Sequence, residues 1–372
     1  MSRRSWHQPD YVYLGLIAVL LVVGLVVLSS ASSVLGFTQY GDSLHYLKKQ
    51  VLALAIGIVA FLITFNIDYH VWRRWAVPIM MVTVILLLLV FVPGIGPALL
   101  GAHRWLVLGP ILFQPSEVAK LSFIIYLAAW FERRDHIIGN FRQGLVPFLV
   151  ALAVIGGLVL LQPDLGTTLI IILIAITLFF SAGGSIRHLA GLLLLGVVLG
   201  ALAIKLAPYR AARFTVFLNP AADPQGIGYH IQQAWLAIGS GGWFGLGLGH
   251  SRQKFNYLPE PAGDSIFAIM AEELGFLFAI GFIITWLALT LRGLKLSRFA
   301  PDRFGQLVAI GITVWLAFQT FLNIGALSGL LPLTGIPLPL MSNGGSAMIV
   351  TLTAIGVLMN ISRQTTRSAR KL

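Results

Sequence analysis

The sequence predicts an all-α integral membrane protein of about ten transmembrane helices, with a large extracytoplasmic loop between the seventh and eighth. Composition is the first reason. Of 372 residues, 58% are hydrophobic and 10% charged, whereas a soluble domain carries about a quarter charged residues. Recurrence is the second: apolar stretches follow one another from residue 11 to residue 361, and no polar block between them is large enough for a soluble domain. Residues 1–372 therefore form a single polytopic domain. The third reason is a one-sided distribution of Lys and Arg.

Windows of about 20 apolar residues span the hydrocarbon core as helices. The first, 11–31, follows Arg3 and Arg4 and precedes Ala31-Ser32-Ser33 in the manner of a signal peptide, but its length suits a full span and more spans follow, so it is expected to stay uncleaved. Lys48 and Lys49 open 48–66, where they can snorkel to the interface. Arg73 and Arg74 precede 75–93. The window 112–131 contains Pro115 in its first turn, and 144–161 follows Arg142. Gln162-Pro163-Asp164 starts 165–182, Arg187 starts 187–207, and Gly263-Asp264 starts 265–291. Arg303 precedes 304–326, and a glycine pair begins 344–361.

If the N-terminus is cytoplasmic, one side receives Arg3, Arg4, Arg73, Arg74, Arg133, Arg134, Arg142, Arg187, Arg292, Lys295, Arg298, Arg303, Arg363, Arg367, Arg370 and Lys371, which are 16 of the 25 basic residues. The positive-inside rule then places both termini in the cytoplasm. The net charge of +12 is scattered over many short loops and forms no single patch, which argues against a nucleic-acid partner. Without cysteine there is no disulfide or thiolate chemistry. The outer side carries most of the Gly, Pro and carboxylate content and the long loop 208–264. Phe214, Phe217, Tyr229, Trp235 and Trp243 give that loop apolar surface to bury, so it is expected to be ordered, with a short amphipathic helix over 229–238.

Ionisable groups at membrane depth are costly and mark function by default. Those at outer helix ends or within a span are Glu117, Asp164, Glu260, Asp264, Glu272 and Glu273. Simple helix capping competes at Asp164 and Asp264. Glu117 lies in a first helical turn with Lys120 at i+3, so a structural ion pair competes there. Glu272 and Glu273 sit roughly 12 Å deeper than Asp264 along one helix and suit a structural network. Arg104, Arg210, Arg213, Arg252 and Lys254 are suited to phosphate, with lipid head groups as the competing ligand. No Walker loop, nucleophile elbow, His-rich metal cluster or dinucleotide fingerprint occurs in a suitable context. The residues alone thus describe an outward-facing site for an anionic lipid, in a transferase or a transporter.

Several segments resemble the SEDS (shape, elongation, division and sporulation) family, whose members include FtsW and RodA. They are SSASS at 29–33, GAHRWLVLGPILFQPSEVAKLS at 101–122, QPDLGTT at 162–168, FLNPAADPQGIGYHIQQAWLAIGSGG at 217–242, GLGLGHSRQKFNYLPEPAGDSIFAIMAEELGF at 245–276 and NIGALSGLLPLTGIPLPLMSNGGS at 323–346. They run from the first span to the last in family order, and 251–260 resembles the division members more than the elongation members. The resemblance implies a peptidoglycan glycosyltransferase that polymerises lipid II at the plasma membrane, at the septum, beside a class B penicillin-binding protein and other divisome proteins. It carries the family's essential aspartate onto Asp264 and further cavity residues onto Glu117, Lys120 and Asp164. Two departures stand out: Ala262-Gly263 and Ser265 flank the aspartate where the family often has His-Thr and Phe, and Asn343 replaces a usual Tyr.

On this resemblance Asp264 is expected to act as general base on the GlcNAc 4-hydroxyl, or to ligate a divalent cation, Mg2+ or Mn2+. An ordinary Asp, with a pKa of about 3.9, is a feeble base, so the site must raise that value or a metal must acidify the hydroxyl. Arg104, Lys120, Arg210 and Arg213 would stabilise the departing diphosphate, with Glu260 close by, and no organic cofactor is expected. An elongation-type polymerase, a lipid II flippase and a recruiting scaffold are the alternatives. The outer clustering of the candidate groups favours the transferase.

Overall fold

Long apolar segments become helices in a bilayer because every backbone polar group must be satisfied within the segment. In the computed structural model, which describes residues 7–99, 102–108, 111–192, 194, 196, 198, 208–220, 223 and 225–365, they do so throughout. The helices are α1 (Tyr11–Ala31), α2 (Ser33–Tyr40), α3 (His45–Asn66), α4 (His70–Leu89), α5 (Pro115–Arg133), α6 (Val146–Leu161), α7 (Leu165–Ser181), α8 (Pro208–Leu218), α9 (Ile227–Ser240), α10 (Ile266–Arg298), α11 (Arg303–Leu327) and α12 (Gly345–Arg363). Every expected span except 187–207 coincides with a helix; that one lies largely outside the described residues. Among the described residues, seven helices are long and apolar enough to cross a membrane. Of the other expected spans, α5 carries four charged residues, Glu117, Lys120, Glu132 and Arg133, and α7 has 17 residues. The chain is a multi-pass membrane protein.

Burial is uneven in the way a bilayer allows. Helices α11 and α12 are mostly enclosed, whereas in α1, α3, α4 and α10 only a minority of residues are buried. Helix α12 packs along α3 at close range. A Cβ on Gly57 would meet Leu352, and one on Gly356 would meet Thr64, so small residues let these backbones approach. Two features were not expected. Two short antiparallel strand pairs form before α5, Ala98–Leu99 with Ala102–His103 and Leu106–Leu108 with Ile111–Phe113. Helix α10 is broken at Gly275, whose φ of 80° lies in the left-handed region.

That break is repaired by the long loop. Leu246 N and Gly247 N donate to the carbonyls of Glu272 and Glu273, while Phe276 N and Leu277 N donate to those of Gly242 and Trp243. Directly beside it, Ser251 Oγ and the backbone N–H groups of Arg252 and Gln253 donate to the Glu272 carboxylate. Lys254 Nζ pairs with Glu273 at 3.0 Å and also reaches Ser30 Oγ on α1. Glu272 and Glu273 thus anchor a turn of the loop, the structural role expected of them. The expectation that Lys254 serves phosphate is corrected, because the side chain is buried and its donors are committed to this network.

Candidate active site

Asp264 sits just ahead of α10. The helix cap is Ser265, which makes no side-chain capping bond, so the capping role weighed for Asp264 is not the one observed. The backbone of residues 262–264 is held at three successive carbonyls. Asn323 Nδ2 of α11 donates to Asp264 O at 2.7 Å, Ser342 Oγ to Gly263 O at 2.6 Å, and Asn343 N to Ala262 O at 2.8 Å. The Asn343 contact is made by backbone, so the departure from Tyr leaves it intact. A Cβ at residue 263 would lie 3.1 Å from Glu260 Oε2.

The segment 333–342, rich in Pro and apolar residues, is the hub of the site. Arg213 of α8 donates to Leu333 O at 2.9 Å. Asn323 and Gln319, one turn apart on α11, donate to the successive carbonyls of Ile336 and Pro337. Gln319 Oε1 in turn accepts from Lys120 Nζ at 2.9 Å and from Trp315 Nε1. Lys120 pairs with Glu117 at 2.8 Å, and both are about 1% exposed. One helical turn of α11, about 5.4 Å, therefore links the backbone of Asp264 to the Lys120–Glu117 pair. Glu117 Oε2 and Ser116 Oγ are buried and make no hydrogen bond.

Asp164 takes the capping role. It accepts from Thr167 N at 3.1 Å and Thr167 Oγ1 at 2.9 Å at the start of α7, with Gln114 Nε2 at 3.4 Å tying it to the start of α5. Gly166, two residues on, abuts Thr334 and Ile336, so this helix start touches the hub. Arg104 is committed to the turn before α7, through the carbonyls of Gln162 and Pro163. Arg210 lies on α8, and its side chain falls outside the described residues. The structure thus groups Asp264, Glu260 and Arg213, joins Lys120 and Glu117 to them through α11, and gives Asp164 and Arg104 supporting contacts at the rim.

Burial pushes the Asp264 carboxyl up from 3.8 to about 6, against the Arg213 charge and hydrogen bonding from Ser265. Burial also raises Glu260, and the Asp264 charge adds to it. His230 of α9 is pushed down to about 4, chiefly by burial. Gln319, Asn323, His230 and the hub were missed by sequence reasoning. Uncharged amides in an apolar helix were the available signal for the first two, and at 319 and 323 they stand one turn apart.

The matches to known proteins cover nearly the whole chain. Residues 11–367 match the FTSW_RODA_SPOVE family, described as cell cycle protein. The stage V sporulation protein E of Bacillus subtilis is 41% identical over 96% of this chain and 97% of its own length. A Geobacter sp. (strain M18) protein named "Probable peptidoglycan glycosyltransferase FtsW" is 39% identical over 95% of this chain and 96% of its own. Among solved structures, a chain of a peptidoglycan synthase complex, described for its coordination of polymerization and crosslinking, superimposes with TM-score 0.81 at 29% identity, covering 99% of this chain and 100% of that one. The crystal structure of the Thermus thermophilus rod shape determining protein RodA gives TM-score 0.71 at 28% identity over 96% of this chain and 98% of its own.

Proposed function

The chain belongs to the FTSW_RODA_SPOVE family of cell cycle proteins and is a peptidoglycan glycosyltransferase, and we propose that it polymerises lipid II at the outer face of the plasma membrane with Asp264 as general base. The observation that carries this reading is the Asp264 carboxyl, carried on a turn whose three successive carbonyls at 262–264 are each hydrogen-bonded, and raised to about 6 by burial. A base with that pKa is ionised near neutrality and still basic enough to take a proton as the hydroxyl attacks. In the proposed step the GlcNAc 4-hydroxyl of one lipid II loses its proton to Asp264 and attacks the MurNAc anomeric carbon of the growing strand. The bond to undecaprenyl diphosphate breaks with inversion. Arg213, whose charge acts on the Asp264 carboxyl, is the cation for the developing diphosphate charge, and Lys120 holds Glu117 and Gln319.

Among the described residues no group of three or more His, Asp or Glu could hold a metal. Asp264 with Glu260 is the carboxylate pair available, and Mg2+ is commonly held by one or two carboxylates together with substrate phosphates. A divalent cation bound there would supply charge neutralisation at the diphosphate. The septal assignment rests on the resemblance of 251–260 to division members, and the class B penicillin-binding partner on the synthase complex that the fold matches.

The pH profile tests the base directly. Protonation of Asp264 removes the base, so kcat/KM for lipid II polymerisation is expected to fall as pH drops through about 6. A profile flat down to pH 4.5 would count against Asp264 in this role. Topology has its own test, since the chain contains no cysteine. Single cysteines at Arg133, Arg298 and Ser240, all exposed, should react with an impermeant thiol reagent in spheroplasts only at position 240. Labelling at the other two would overturn a cytoplasmic placement of both termini.

A further inference from the structure

The residue after the aspartate departs from the family pattern, and it is bonded to a histidine from another helix. Ser265 Oγ lies 2.8 Å from Pro259 O, 2.6 Å from His230 Nε2 and 3.5 Å from Asp264 Oδ1. A hydroxyl has one proton. A carbonyl can only accept, so that proton goes to Pro259 O, and His230 Nε2 must supply the proton in its own contact. The imidazole is therefore a donor at Nε2, and the serine oxygen is fixed from two sides within reach of the Asp264 carboxylate.

We propose that His230 is a positioning residue for Asp264, acting through Ser265: its Nε2–H bonds Ser265 Oγ, whose own proton goes to Pro259 O, and this relay ties α9 to the turn 259–265 and fixes the backbone that carries the Asp264 carboxylate. The inference rests on the reading of Asp264 as the base. The groups facing His230 are Arg213 from α8, Glu260 and Asp264 from the turn before α10, and, beyond Glu260, Tyr46 from α3. Burial and the Arg213 charge outweigh Glu260 and hold the imidazole near 4, so it remains neutral through the working range. A neutral ring suits the role, because an imidazolium would draw the Asp264 pKa down and weaken the base. Where the family places Phe after the aspartate, this chain uses a hydrogen-bonded pair from two elements.

The test is a mutant cycle on the purified full-length protein in detergent, with lipid II as substrate and strand formation measured from pH 5 to 8. His230→Ala is expected to lower kcat about ten-fold or more, as small misplacements of a reacting group do, with KM changed less than two-fold. His230→Gln, which keeps an N–H donor, should recover most of the loss. In a Ser265→Ala background, His230→Ala should have no further effect. Thermal melting of each variant accompanies the kinetics. A His230→Ala enzyme with wild-type kcat would overturn the proposal, as would a His230→Gln enzyme that melts normally yet turns over no faster than the alanine variant, or effects that multiply in the double mutant. Polymerisation by Asp264→Asn would instead overturn the reading of Asp264 itself, so the two failures are distinct.

Discussion

Asp264→Asn is expected to lower lipid II polymerisation by at least about a hundred-fold, the lower end of what a general base contributes, while leaving expression, membrane insertion and melting temperature near wild type. The reason lies in how the residue is held. Asn323, Ser342 and Asn343 bond the backbone of residues 262–264, not the carboxylate, and the N-cap of α10, Ser265, makes no side-chain capping bond. Asparagine matches the shape and keeps these contacts, so activity and stability should separate. Gel analysis of strands made from supplied lipid II, beside a melting curve, measures both. A normal rate from Asp264→Asn would end the assignment.

Lys120→Met is expected to lose both stability and activity. The side chain is enclosed by Glu117, Gln319 and the Trp315 ring, whose centroid is 5.0 Å away. Removing the cation leaves a buried carboxylate without its partner, and breaking a buried pair costs about 3–5 kcal/mol. The double change Glu117→Gln with Lys120→Met removes the uncompensated charge and should recover most of the stability. Activity should stay low, because Lys120 also fixes Gln319, which bonds Pro337 in the hub beside Asp264. Recovery of both together, measured by melting and by polymerisation, would assign the pair to structure alone.

Hydropathy reported the bundle well because it measures what each segment prefers to face, and spans such as α1 and α3 declare that locally. It located Asp264, Glu117 and Lys120 for the same reason, since charge inside an apolar window is conspicuous. It could not report which helix faces which. Asn323 and Asp264 lie 59 positions apart, and Gln50 and Ser342 lie 292 apart, so the hub at 333–342 looks like an apolar stretch with prolines until the chain is folded. Arg104 shows the same limit. Its charge suggested phosphate, but its guanidinium is committed to the carbonyls before α7. The break at Gly275 was hidden within an expected span, because the bonds that stabilise it come from residues 242–247.

Polymerisation of lipid II by the purified chain, supplied in detergent with and without a class B penicillin-binding protein, tests the central claim most directly. Membrane crossing plays no part in that assay, so a transferase should give glycan strands that vanish in the Asp264→Asn protein. Absence of strands under conditions in which the same preparation moves lipid II across a vesicle bilayer would contradict the account and identify a flippase instead.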